Sequence, residues 1–182
     1  TVIISQYYGA EKQDDVKKTV HTAMALSIAG GAVMMVLGFL FSGAALRAMN
    51  TPDDILSLSI VYMRVYFLGV IPSLIYNMGS GILRAVGDSK RPLYFLIFSC
   101  FANIILDILF VTILKMGVAG VAVATALSQV ISALMVTVSL MRTTDSYRLY
   151  LKEIRFSPYF LHNIIRIGLP AGVQSTMYSV SN

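Results

Sequence analysis

The sequence predicts an all-α protein, a polytopic transmembrane helical bundle, and three observations carry that reading. Of 182 residues, 57% are hydrophobic and only 13% are charged, whereas a soluble domain carries about 25% charge. Mean hydropathy is +0.75. The charges are also unevenly placed, leaving five long and almost uncharged stretches. Each is long enough to cross a hydrocarbon core of about 30 Å as a helix, and backbone within lipid must satisfy its own hydrogen bonds, as a helix does. A water-soluble globule is excluded.

Thr1 to Tyr8 is uncharged and mostly apolar, and reads as the tail of a helix that begins upstream. No secretory signal pattern is visible. After the connection Gly9 to Lys18, the first full span is the uncharged run between Lys18 and Arg47. Asn50-Thr51-Pro52-Asp53-Asp54 then offers a cap followed by acidic residues in the first turn of the next helix. In the second span, Ile55 to Leu83, only Arg64 is charged. Pro72 lies inside it and bends the helix by removing a backbone bond.

In the third span, Pro92 to Leu114, only Asp107 is charged; Pro92 suits a first helical position. Lys115-Met116-Gly117 allows only a tight reversal, so the flanking spans are antiparallel neighbours. The fourth span, Met116 to Met141, carries no charge at all. Its stripe of Gly120, Ala124 and Ser128 permits close helix packing. In the long connection from Arg142 to Pro158, Tyr147, Leu149, Tyr150, Leu151, Ile154 and Phe156 alternate with basic residues. That pattern predicts an amphipathic segment on the cytoplasmic membrane surface. The last span, Phe156 to Asn182, has Arg166 as its one charge and Pro170 as a second interior proline. It stops within an apolar run, so a fragment cut within a helix at both ends is expected.

The net charge of +5 could point to nucleic acid, but its distribution points to topology. Ten basic residues fall in the first, third and fifth connections, and two, Arg47 and Lys115, in the second and fourth. The positive-inside rule makes the richer face cytoplasmic. Nucleic-acid binding is set aside. The single Cys100 cannot pair within the chain and reads as a packing residue. His21 and His162, near cytoplasmic span ends, have no second ligand at metal spacing. Gly79-x-Gly81 with Gly87-Asp88-Ser89-Lys90 has neither the spacing nor the preceding strand of a phosphate loop. No nucleophile, base or paired-carboxylate arrangement appears, so an enzyme is not expected, and no cofactor or obligate protein partner is evident.

Asp107 is the only acidic residue inside a span. A charged Asp near a helix centre costs roughly 2.5 to 3.5 kcal/mol on insertion scales, which makes it a functional-site candidate by default. Asn103, four residues earlier, shares its helix face. Asp107 lies about 12 Å before Lys115 along the helix and Thr125 about 15 Å after it, so the two reach similar depth on adjacent antiparallel helices. Gln129 follows Thr125 by one turn. Asn103, Asp107 and Thr125, with Gln129 beside them, form either an interhelical hydrogen-bond clamp or a site for Na⁺ or H⁺; a clamp has no need of a carboxylic acid. Gln129, Arg64 and Gln174 are the candidates for lining a substrate cavity. Arg64 can alternatively snorkel to the outer interface, and Arg166 to the inner one.

Several segments resemble the multidrug and toxic compound extrusion (MATE) transporters. They are Gln6-Tyr7-Tyr8-Gly9-Ala10, Ile82 to Pro92, Asn103 to Asp107, Gly117 to Thr125 with Ser128-Gln129, and Ile167 to Gly172. The resemblance implies a two-lobed transporter of about twelve helices that exports drugs in exchange for Na⁺ or H⁺ at the plasma membrane. Residues 1-155 would be most of the amino-terminal lobe, from the end of helix 2 through helix 6, and 156-182 the start of helix 7 in the carboxy-terminal lobe. It also implies a cation site at Asn103, Asp107 and Thr125, the residues singled out above from charge and depth. Two other classes stay open: a flippase or exporter of lipid-linked or polysaccharide precursors, and a membrane scaffold in which Asp107 only clamps helices.

Overall fold

The computed structural model describes residues 1–181, so Asn182, the end of the last expected span, lies outside the described residues. The chain forms α1 (Val2–Gly9), α2 (Gln13–Ala48), α3 (Asp53–Leu68), α4 (Val70–Ala85), α5 (Lys90–Asp107), α6 (Gly117–Arg142) and α7 (Pro158–Ser181). α5 continues without a break into a π-helical segment, Ile108–Ile113, and a single 3₁₀ turn spans Leu151–Glu153. Among the described residues three helical units, α2, Lys90–Ile113 and α6, are long and apolar enough to cross a membrane, and α3 with α4 makes a fourth span bent by 40°. The fifth expected span forms helix α7. His162, Asn163 and Arg166 dilute its apolar character, and it does not reach the same standard.

The turns follow from local chemistry. Asn50 and Lys115 adopt positive φ, 54° and 53°, and close α2 and the α5–α6 reversal; Asn tolerates this conformation best among residues with a Cβ. Asp88 Oδ1 accepts hydrogen bonds from the Lys90 and Arg91 backbone N–H groups, at 3.2 and 3.1 Å, and so caps α5. Pro92 is therefore the third residue of α5, not the first, still within the turn whose N–H groups have no intrahelical partner. α3 carries Asp53 and Asp54 in its first turn, but no side chain caps it.

The bend falls where Pro72 places it. Lacking an N–H, Pro72 cannot bond the Leu68 carbonyl and its ring crowds it; α3 ends at Leu68, and Gly69 carries the chain into α4. Pro170, by contrast, lies inside a continuous α7.

Side-chain burial is concentrated in the cytoplasmic half. Val16, Val20 and Met24, one turn apart on α2, meet Ile82 and Leu83 of α4 and Val136 and Leu140 of α6. The segment expected to lie amphipathically on the membrane surface joins this core instead. It is largely irregular, with Tyr147 and Leu149 buried in the core cluster, Ile154 half-buried against it, and Tyr150, Leu151 and Phe156 exposed. Short Gly and Ser residues let α6 approach its neighbours: Gly120, Ala124 and Ser128 are all buried. The other faces of the helices are apolar and exposed, among them Leu40, Phe41, Ile105 and Leu134. That is the pattern of a bundle solvated by lipid, whose tails are as apolar as the side chains that meet them.

Candidate functional site

A cavity of about 340 Å³ opens between α4, α5 and α6. α4 contributes Ser73 and Asn77, one turn apart and just past the proline bend. α5 contributes Ser99 and Asn103, and α6 contributes Ser128, Gln129 and Ser132. These contributions follow from helical spacing: each set recurs every three or four residues and so occupies one face.

Most of these polar groups are already satisfied. Ser99 donates to the Leu96 carbonyl at 3.0 Å, Ser128 to Thr125 at 2.8 Å, and Ser132 to Gln129 at 3.0 Å. Asn77 Nδ2 donates to the Ser73 carbonyl at 2.9 Å, and the Tyr76 hydroxyl reaches across to the Pro92 carbonyl at 3.0 Å. Short side chains on a membrane helix find acceptors on their own backbone.

Three longer ones do not. Asn103 Nδ2, Asp107 Oδ1 and Gln129 Oε1 are buried atoms without a hydrogen-bond partner. A buried group left in that state costs about 1–3 kcal/mol, so a native structure that keeps three of them on facing helices calls for a specific reason. Asn103 and Gln129 line the cavity itself. Asp107 lies one turn beyond Asn103 on the same face and is the last residue of α5 before the π-helical segment. There the backbone register widens, with Leu114 N–H bonding to Leu109 at 3.0 Å; such departures in helices are frequent at functional sites.

The structure thus brings Asn103 and Gln129 together in one cavity wall, with Asp107 one turn beyond Asn103 on α5. Thr125 is half-buried and its hydroxyl donates to the Val121 carbonyl at 3.0 Å, on its own helix. Arg64 is exposed on α3, with its guanidinium carbon 5.2 Å from the Phe39 ring centroid. Gln174 is exposed on α7, which packs chiefly on α2. Both stand apart from the cluster. Cys100, read as a packing residue, is exposed instead and lines the cavity. Ser73, Asn77, Ser99 and Ser132 were missed by sequence reasoning. The signal that could have found the first two is their four-residue spacing directly after Pro72.

Transmembrane helices, one of them broken at its middle, that surround a polar cavity lined by unpartnered amides, with an unpartnered carboxylate one turn beyond it, are the build of a membrane transport protein. The MatE family model matches residues 1–109, more than half of the chain, and the chain belongs to that family. A probable multidrug resistance protein of Bacillus subtilis, YoeA, is 31% identical over 100% of this chain and 41% of its own length. A second from the same species, YpnP, is 36% identical over 82% of this chain and 32% of its own. Among solved structures, a crystal structure of MATE in the bent conformation is 28% identical with a TM-score of 0.90, covering 98% of this chain and 40% of that one. The inward-facing form of a multidrug resistance MATE family transporter gives 0.84 at 29% identity, over 93% of this chain and 39% of the other. The chain therefore spans about two fifths of the length of the relatives it matches. Members of the family are transporters rather than enzymes and are multi-pass proteins of the plasma membrane.

Proposed function

We propose that this chain is most of the amino-terminal lobe (1-155) and the start of the carboxy-terminal lobe (156-182) of a secondary antiporter. It exports drug-like organic compounds across the plasma membrane in exchange for Na⁺ or H⁺. The observation that carries this reading is the unpartnered set on α5 and α6, and the multidrug resistance relatives support the substrate class.

The set contains two acceptors, Asp107 Oδ1 and Gln129 Oε1, and one donor atom, Asn103 Nδ2, and the two N–H groups of that amide reach neither acceptor. A proton on Asp107 adds a donor at the carboxyl itself, since a protonated carboxyl carries an O–H. A hard cation satisfies the acceptors instead, taking oxygen ligands from Asp107, from the Asn103 and Gln129 amide oxygens, and from Thr125. The Thr125 hydroxyl keeps lone pairs after donating to Val121. A bare clamp needs neither, and would leave the three atoms bonded to one another.

Coupling follows from position. Asn103 and Gln129 belong both to the orphaned set and to the cavity wall, so an ion at Asp107 and a substrate in the cavity act on shared side chains. If the two favour different arrangements of α4, α5 and α6, each changes the affinity of the other by the same factor. The test is drug efflux by cells carrying the full-length protein: Asp107→Asn abolishes gradient-driven efflux while membrane expression holds. Unchanged efflux contradicts the assignment.

A further inference from the structure

Away from this cluster, one buried titratable ring is gripped by two polar partners of opposite kind. His21, 3% exposed, lies on α2 near its cytoplasmic end. Its Nδ1 is 2.7 Å from the Lys17 carbonyl oxygen and its Nε2 accepts the Tyr150 backbone N–H at 3.0 Å. A carbonyl only accepts and a backbone N–H only donates, so Nδ1 carries the ring proton and Nε2 is bare. The neutral ring satisfies both partners. An imidazolium has N–H on both nitrogens and would turn one of them against the Tyr150 N–H.

The same place ties the connection 143–157 to α2. The His21 ring stacks on Tyr150 with planes 12° apart and centroids 6.2 Å apart. The Ser157 N–H reaches Thr22 Oγ1 at 3.4 Å, and Lys17 Nζ pairs with Glu153 at 2.8 Å. A cavity of about 490 Å³ adjoins the ring on its cytoplasmic side, walled by Asp14, Lys17 and Lys18 from α2 and by Glu153 and Arg155 from the connection. The Arg148 guanidinium lies 5.0 Å from the Tyr150 ring centroid. The hydrogen bond between Lys17 and Glu153 holds the ammonium above its usual range and the carboxyl below its usual range. That pair therefore keeps its charges between pH 5 and 8, the window in which an ordinary imidazole titrates.

We propose that His21 is a proton-binding site separate from the Asp107 cluster, at which protonation from the cytoplasmic side releases the connection 143–157 from α2. The sign follows from the hydrogen bonds. The tied arrangement requires the neutral ring and the added proton breaks the Tyr150 bond, so the released arrangement gains population as pH falls. Because the connection joins α6 to α7, the state of His21 sets how firmly both are held to α2.

The test is amide hydrogen exchange of the full-length protein in lipid nanodiscs at about pH 7.5 and about pH 5.5, on either side of an ordinary imidazole, after correction for the intrinsic pH dependence of exchange. Protection of the Tyr150 amide falls about fivefold on acidification, the population change that one hydrogen bond of ordinary net strength gives. His21→Gln keeps an acceptor without a titrating ring and removes the pH dependence; Asp107→Asn leaves it in place. Nitrogen NMR of labelled histidine at the higher pH finds the proton of His21 on Nδ1. Protection that does not change with pH in the unmodified protein, the same fall in His21→Gln, loss of the fall in Asp107→Asn, or a proton on Nε2 would each overturn the proposal.

Discussion

Gly69, the residue that joins α3 to α4, lies directly against Gln129 of α6. A β-carbon at position 69 would stand 3.0 Å from Gln129 Oε1 and 3.3 Å from the Ala126 α-carbon. The bend in one span thus lies against an unpartnered oxygen of the candidate site. Gly69→Ala forces the Gln129 side chain aside by a few tenths of an ångström. The expected stability loss is at the low end of overpacking, about 1 kcal/mol, with a larger loss of transport. Parallel thermal unfolding and efflux measurements on the full-length protein check this. A variant with normal efflux would show that Gln129 is not part of the site.

Gly79 makes a tighter contact on the same helix pair. A β-carbon there would lie 2.7 and 2.9 Å from the two methyl groups of Val136, which is fully buried in the core. Gly79→Ala is expected to destabilise by about 1–3 kcal/mol, and Val136→Ala to restore much of that loss when the two are combined. The double-mutant cycle, read by thermal unfolding, isolates the coupling; additive effects would refute it.

Asp88 tests the cap of α5. It takes the Lys90 and Arg91 N–H groups and also pairs with the Arg91 side chain at 3.0 Å. Asp88→Ala removes the cap and costs about 1 kcal/mol, while Asp88→Asn keeps the acceptor and costs less. Equal unfolding temperatures for the three proteins would show that the cap contributes nothing.

Pro72 is expected to set the shape of the α3–α4 span. Pro72→Ala restores an N–H for the Leu68 carbonyl, so the 40° bend should relax toward a straight helix. Spin labels at Leu58 and Arg84, both exposed, report this as a longer distance between them. An unchanged distance would assign the bend to packing around Gly69.

How much of this was legible in the sequence depends on the range of the interactions. Helix positions were readable because each charge marks an end, and Pro72 announced its bend because its effect is confined to one turn. Asp107 stood out as the lone acid in lipid, and Asn103 and Gln129 followed from helical spacing and depth. The π-helical segment was not readable: the widened turn packs on α6, where a β-carbon on Gly120 would come within 3.1 Å of the Phe110 β-carbon, a contact between different helices. The irregular course of 143–157 was hidden for the same reason, since Tyr147 and Leu149 bury against α2, α4 and α6 rather than on lipid. His21 read only as a histidine without metal partners. Its partner Tyr150 lies 129 residues away, beyond any local pattern.

Asp107 is the proposed carrier of the coupling charge of an antiporter. The most direct test of that role is uptake by the purified full-length protein in proteoliposomes, with Na⁺ and pH gradients imposed separately and a dye-like organic cation as substrate. The expected result is uptake driven by one of the two gradients in the unmodified protein and by neither in Asp107→Asn, at equal reconstitution. Gradient-driven uptake that survives Asp107→Asn would contradict it, and uptake of lipid-linked sugars in place of the cation would contradict the substrate class.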